Sequence, residues 1–209
     1  MFEIMKPMEI ESRSFEIISG ILDERGIALP EENAPVVKRV IHTTADFDYV
    51  DNLVFSDRAV QFGIEALKSG CDIVTDTQMA KAGISKATLA KFGGQVHCFM
   101  SDEDVAREAK ERGVTRAAVS MEKAARLGKP LIFAVGNAPT ALIAIDELMK
   151  RNALTPRLII GVPVGFVNVV ESKELIIASS VPYIVARGRK GGSNVAAAIV
   201  NALLYRITR

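Results

Sequence analysis

The stretch LIFAVGNAPTALIAIDELMKRN, residues 131–152, decides the fold class. Its opening LIFAVG is short, rich in β-branched and other apolar residues, and apolar on both faces. Such a run suits a strand covered by helices on either side, as parallel strands are. GNAPT (136–140) then breaks the run with a glycine and a proline, and a helical pattern follows from Thr140 to about Asn152. Strand, turn and helix in that order make up a βα unit of a parallel sheet.

The pattern repeats outward from this stretch. DIVTD (72–76), QVHCFM (95–100), RLIIGVPV (157–164) and PYIVARG (182–188) read as further strands. Helical windows fall between them. One runs from about Asp57 to Lys68, with Ser56 as N-cap and Gly70 near its end; another runs from about Asp102 to Arg112, capped by Ser101 and followed by Gly113. A last helix starts near Ser193. Earlier in the chain, ENAPVVKRVIHTTAD sets Val36, Val37, Val40 and Ile41 on one helical face, with Pro35 suited to the first turn and His42 at the C-terminal end. A further helical region precedes it. The expectation is a three-layer α/β/α arrangement around a mainly parallel five-stranded sheet, with residues 1–209 as a single domain.

Composition narrows the function. Lys and Arg total 26 against 25 Asp and Glu, so no global field steers the chain toward nucleic acid or an anionic membrane. An anionic ligand must be met by local cations. The opening MFEIMKPMEIESRSF carries Glu3, Glu9 and Glu11 and lacks the apolar core of a signal peptide. The longest apolar stretch, Leu158 to Val170, is interrupted by Gly161, Pro163, Gly165 and Asn168 and does not suit a membrane span. Cys71 and Cys98 stand apart without ligand spacing and read as buried thiols in a reducing compartment, so a cytoplasmic location is expected.

Ligands of open parallel sheets bind beyond the carboxyl ends of the strands. Here those positions are Thr75-Asp76-Thr77, Met100-Ser101, Gly136 to Thr140, Gly161 to Asn168 and Arg187 to Ser193. RGRKGGSN (187–194) offers three glycines, including Gly192, and three cations, including Arg187 and Lys190, at the start of the last helix. It reads either as an anion site or as a tight turn with surface cations. Its spacing matches neither GxGxxG nor the Walker A pattern. GNAPT, with Asn137, and GVPVGFVN (161–168) are almost uncharged; they suit a large flat ligand or are turn chemistry alone.

Histidine is the side-chain type suited to proton transfer near neutrality, and His42 is followed by Thr43, Thr44, Asp46 and Asp48, close enough to orient its ring. The other reading is a helix-end histidine resting on the last carbonyls. His97, inside an apolar strand beside Cys98, reads as a core residue. Two histidines so far apart, without Cys or Glu at ligand spacing, make no protein metal site. Arg13 and Arg116 are cations able to grip a carboxylate through two nitrogens, or plain surface residues.

Six stretches together resemble the precorrin-8X methylmutase family of cobalamin biosynthesis: ESRSFEII (11–18), VVKRVIHTTADFDY (36–49), IVTDTQMAKAGI (73–84), FAVGNAPTAL (133–142), IIGVPVGFVNVVESKEL (159–175) and YIVARGRKGGSNVAAA (183–198). The resemblance covers essentially the whole chain. It implies a flavodoxin-like, doubly wound domain acting as a homodimer. It also implies migration of a methyl group from C-11 to C-12 of a corrin precursor, which yields cobyrinic or hydrogenobyrinic acid without an external methyl donor. By resemblance, His42 is the general acid toward the macrocycle, Ser14 contacts substrate, Arg116 binds a substrate carboxylate, and Ser85 stands where some relatives have threonine. Arg13, Thr43, Thr77, Asn137, Arg187, Lys190 and Gly192 join them as expected substrate-binding residues, the turn residues on physical grounds. The HTTADFDY segment looks more like the branch that handles cobalt-containing substrate, cobalt then arriving inside the substrate with no cofactor of the protein's own. A non-catalytic corrinoid carrier using the same cleft is the alternative, and a nucleotide- or phosphosugar-binding enzyme is a third reading.

Overall fold

The computed structural model describes residues 7–208, so Glu3 and its neighbours at the chain's start lie outside the described residues. Its strands are β1 (Leu53–Phe55), β2 (Asp72–Thr75), β3 (Val96–His97), β4 (Leu131–Val135), β5 (Leu158–Gly161) and β6 (Tyr183–Ala186). They form one sheet in the order β1-β6-β5-β4-β2-β3. The helices among the described residues are α1 (Pro7–Glu24), α2 (Ala34–Thr44), α3 (Tyr49–Asn52), α4 (Ala59–Lys68), α5 (Gln78–Gly83), α6 (Lys86–Ala90), α7 (Glu103–Arg112), α8 (Arg116–Ala125), α9 (Pro139–Lys150), α10 (Val169–Ile177) and α11 (Ser193–Thr208).

The five expected strands are present and mutually parallel. The sheet nevertheless has six strands rather than five. β1 adds an antiparallel edge to β6, with Leu53 opposite Ala186 and Phe55 opposite Ile184. Three residues are too few to display a period, so LVF gives no pattern to read. Its continuation also corrects the expected cap of α4. Ser56 donates its N–H to the carbonyl of Tyr183 at 3.0 Å and accepts the N–H of Tyr183 on its hydroxyl at 2.9 Å. That hydroxyl belongs to the sheet edge, and α4 begins later, after Arg58 in a left-handed conformation. Ser101 does not cap α7 either: the helix starts after Asp102, and the Ser101 hydroxyl accepts from Gln78 at 3.3 Å.

Alternate residues of each central strand enter different cores, as a two-residue period requires. Ile73, Ile132, Leu158, Ile160 and Ile184 pack with Val36, Val37, Val40 and Ile41 of α2 and with the apolar length of α11. Val74, Phe133, Val135, Ile159 and Val185 pack with α8, α9 and α10 on the other face. Strands β2, β4 and β5 are buried throughout, which explains their unbroken apolar character.

One topological feature positions the site. After β2 the chain crosses to β3 on one side, then returns to place β4 on the other side of β2. The turns leaving β2 and β4 therefore diverge at the carboxyl edge, and a crevice opens where they part. Cys71 and Cys98 are both buried and unpaired thiols. Among the described residues no helix is long and apolar enough to cross a membrane.

Candidate active site

The floor of the crevice is backbone. β2 ends at Thr75, and the next residue, Asp76, is fully buried. One carboxylate oxygen accepts the N–H of Gly136 at 2.8 Å; the other accepts those of Asn137 at 2.8 Å and Ala138 at 2.6 Å. Burial pushes its carboxyl up, and the three N–H bonds offset that only in part. Thr77 caps α5 by accepting the N–H of Ala80 at 3.0 Å, and its hydroxyl meets that of Ser193 at 2.7 Å. Two glycines let the turns touch. A Cβ on Gly136 would lie 2.6 Å from the Cα of Ser193, and one on Gly191 would lie 2.1 Å from the carbonyl oxygen of Val162. Gly192 donates its N–H to that same carbonyl at 2.9 Å. The turns after β4, β5 and β6 are thus one packed surface.

Two of the three cations of the 187–193 turn, Arg187 and Lys190, are already engaged in ion pairs. Glu174 takes the Nε and Nη2 of Arg187 at 2.8 and 2.9 Å. Asp46 and Asp48 each accept from Lys190 at 2.6 Å. The bond from Lys190 holds Asp46 below the usual carboxylate range, as the bond from Arg187 does Glu174. Beneath the turn, the fully buried Lys173 donates to the carbonyls of Gly188 at 2.7 Å and Lys190 at 2.8 Å, and burial pushes its ammonium down to about 8. These charges shape the turn. They leave it less free to bind an outside anion than its composition suggests. The rim above is apolar: Phe166 is 84% exposed and Val167 78%, on the turn after β5, and Met79 is 70% exposed in the first turn of α5, which follows β2. The guanidinium of Arg189 lies over the Phe166 ring at 5.8 Å.

His42 lies on the exposed side of the last turn of α2, stacked on Phe15 of α1 with ring centroids 5.3 Å apart. Arg39 also covers the Phe15 ring, at 4.6 Å, and pairs with Glu11 at 2.6 Å. The imidazole makes no hydrogen bond or ion pair among the described residues, so it does not rest on the last carbonyls of its helix. Thr43 bonds back to the carbonyl of Arg39 at 3.0 Å. Ser14, next to Phe15, donates to the carbonyl of Ile10 at 2.8 Å, and Arg13 pairs with Glu16 at 3.1 Å. The Phe15–His42 stack sets α1, which carries Arg13 and Ser14, against the end of α2. The Lys190–Asp46 bond joins it to the strand-end turns, four residues after His42.

Other expected site residues lie further off or at the border. Arg116 opens α8, exposed and with no hydrogen bond or ion pair among the described residues. Its neighbour Thr115 donates to Thr140 at 2.9 Å, which sets it beside the GNAPT turn. Ser85 is held through its N–H by Asn201 at 2.9 Å, and its hydroxyl meets Thr88 at 2.8 Å. Asn201 lies about 12 Å along α11 from Ser193, so Ser85 is not at the strand-end floor. His97 bonds Asp72 at 3.0 Å, at the opposite end of β2. Asp76 and Lys173 were not among the expected site residues. Their signals are an acid directly after an apolar strand, and a lysine whose spacing from Val169, Ser172 and Ile176 puts it on the inner face of α10.

With this geometry in view, the family described as precorrin-8X methylmutase matches residues 9–206 of the chain. A cobalt-precorrin-8 methylmutase of Salmonella typhimurium is 49% identical, covering 99% of both chains. One from Priestia megaterium is 44% identical, over 95% of this chain and 88% of its own. A crystal structure of precorrin-8x methyl mutase from Thermus thermophilus superposes with a TM-score of 0.86 at 37% identity, covering 95% of this chain and 97% of that one.

Proposed function

The chain belongs to the precorrin-8X methylmutase family and is an isomerase of cobalamin biosynthesis; on that premise we propose that it moves a methyl group from C-11 to C-12 of cobalt-precorrin-8, with His42 as general acid. The observation that carries this reading is the state of the imidazole. Its plane is set by Phe15, and both of its nitrogens are unengaged among the described residues. A ring so held has a nitrogen free to face a bound macrocycle. The shift needs a fixed geometry and one proton, so neither a methyl donor nor a cofactor of the protein's own is required.

The rest of the surface suits a flat, carboxylate-fringed macrocycle. Met79, Phe166 and Val167 supply apolar contact. Arg116, which pairs with no carboxylate among the described residues, is a cation able to grip an acid arm. Arg13, Ser14 and Thr43 contact substrate around the histidine; Thr77, Asn137 and Gly192 do so along the floor. Arg187 and Lys190 act there through ion pairs that hold their turn, and Ser85 contacts the ligand from the side of α11. The cobalt-containing substrate is favoured because the Salmonella and Priestia relatives carry cobalt in their names.

The fold is best described as flavodoxin-like and doubly wound, the chain as one domain. Numbered along the chain by themselves, the parallel strands lie in the order 2-1-3-4-5, which supports that description. A homodimer is supported by the outer face of α1, where Ile10 and Ile17 are exposed beside a groove of 1110 Å³ lined by Glu11, Phe15 and Arg39. The free thiols of Cys71 and Cys98 support a cytoplasmic site.

The test is to offer cobalt-precorrin-8 and its metal-free counterpart separately to purified protein, without S-adenosylmethionine, and follow the visible spectrum. Conversion of the cobalt form is expected. Substrate bound but recovered unchanged would make the protein a carrier instead.

A further inference from the structure

Asp76 has no place in the proton transfer, yet it is the most elaborately bound side chain of the crevice. It is fully buried, and no cation pairs with it among the described residues. Three consecutive backbone N–H groups, of Gly136, Asn137 and Ala138, converge on its two oxygens at 2.6–2.8 Å. α9 begins at the next residue, Pro139. A turn of converging N–H groups leading into a helix is the arrangement by which proteins cradle phosphate. Here the cradle is occupied from inside.

We propose that Asp76 is a positioning residue for the rearrangement: its carboxylate serves as the internal anion of the 136–138 turn, fixing the crevice floor and denying that turn to an outside phosphate. The reaction named in this inference rests on the reading under Proposed function. The coupling to the floor is direct. Gly136, whose N–H is bound, is the residue in backbone contact with Gly192 and Ser193. Thr77, next to Asp76, bonds the Ser193 hydroxyl. Releasing the carboxylate therefore loosens Asn137, Thr77 and Gly192 together. It also explains why a sheet whose fold permits nucleotide binding offers no phosphate cradle at its switch point.

The experiment removes the anion and returns it in solution. Full-length Asp76→Ala is assayed with and without sodium formate, and its thermal midpoint is measured in both conditions beside the wild type. The expected result is a fall in kcat of about tenfold or more with KM changed less than about threefold, since misplacement of bound groups acts on the chemical step. Formate should restore at least about half of the lost rate and raise the midpoint of the variant but not of the wild type. If Asp76→Ala does not fold, Asp76→Ser, which also leaves room for formate, is carried through the same measurements. A variant that folds only in formate supports the inference. Turnover within twofold of wild type, a loss that formate leaves untouched, or failure of both variants to fold even in formate would overturn it. The midpoint shift is read without substrate, so its failure counts against this inference alone, whereas a wild type without turnover counts against the proposed reaction.

Discussion

The imidazole of His42 lies nearly parallel to the ring of Phe15, with the planes 19° apart and the centroids separated by 5.3 Å. The proposed acid is thereby oriented by a neighbouring helix; among the described residues no carboxylate bonds it, which leaves both nitrogens for substrate. A stacked ring pair contributes on the order of 1 kcal/mol beyond its buried area. Phe15→Ala should therefore lower kcat by up to about tenfold, and Phe15→Leu, which keeps apolar bulk without a flat face, by less. Steady-state kinetics beside a thermal melt separates this from unfolding; unchanged kcat in a folded Phe15→Ala would remove the stack from the mechanism.

Lys173 holds the 187–193 turn by two carbonyls and has no counter-ion among the described residues. Lys173→Met leaves those carbonyls without donors, which costs about 1–3 kcal/mol, less what is regained by removing a buried charge. The pH dependence identifies the group. Burial lowers the folded ammonium from its ordinary 10.5 to about 8, so the folded state resists the charge that the unfolded state accepts. That penalty is fully present below pH 8 and fades as pH rises toward 10.5. The stability deficit of Lys173→Met against wild type should widen over that window in chemical denaturation; a constant deficit would mean that Lys173 is not perturbed.

Asp72, almost fully buried at the start of β2, receives bonds from His97 and Lys129, each at 3.0 Å, and from the N–H of Gln95 at 2.8 Å. Burial alone pushes its carboxyl up, but these donors together outweigh burial and hold it below 3.8. A depressed carboxylate stabilises the fold above its ordinary value and ceases to do so as pH falls through the folded one. Asp72→Asn should cost about 1–3 kcal/mol at neutral pH. The difference from wild type should shrink below pH 3.8, without change in kcat, because this cluster sits at the end of the strand away from the crevice. Urea titrations at a series of pH values and a single kinetic comparison check both parts.

Gly191 leaves no room for a side chain, since a Cβ would lie 2.1 Å from the carbonyl oxygen of Val162. Backbone cannot yield as a flexible side chain does. Gly191→Ala should cost roughly 1–3 kcal/mol and displace the floor. Lower thermal stability together with lower kcat is the expected outcome; wild-type values for both would show that the turns after β5 and β6 are not packed as described.

The central strands were legible because β2, β4 and β5 are buried on both faces, and burial on both faces writes an unbroken apolar run. β1 was not, because LVF is a three-residue edge whose pairing with Tyr183 to Ala186 depends on a partner more than a hundred residues away. QVHCFM promised six strand residues and only Val96–His97 pair, because β3 has one neighbour and follows it briefly. For the site, His42 and the glycine-bearing turns were visible as residue types in telling positions. Which cations stay free was not: Arg187 and Lys190 meet Glu174, Asp46 and Asp48 only through the folded chain, whereas Arg116 meets none among the described residues. Asp76 and Lys173 hold backbone groups of distant turns, and no local pattern names such partners.

The most direct test concerns His42. Purified wild type and His42→Ala, each confirmed folded, are given cobalt-precorrin-8 without S-adenosylmethionine, and both turnover and corrinoid binding are followed by visible absorption. If His42 supplies the proton, turnover falls by about a hundredfold or more while product still binds within a few-fold of wild type. Turnover close to wild type in His42→Ala would contradict the assignment of His42 as the acid.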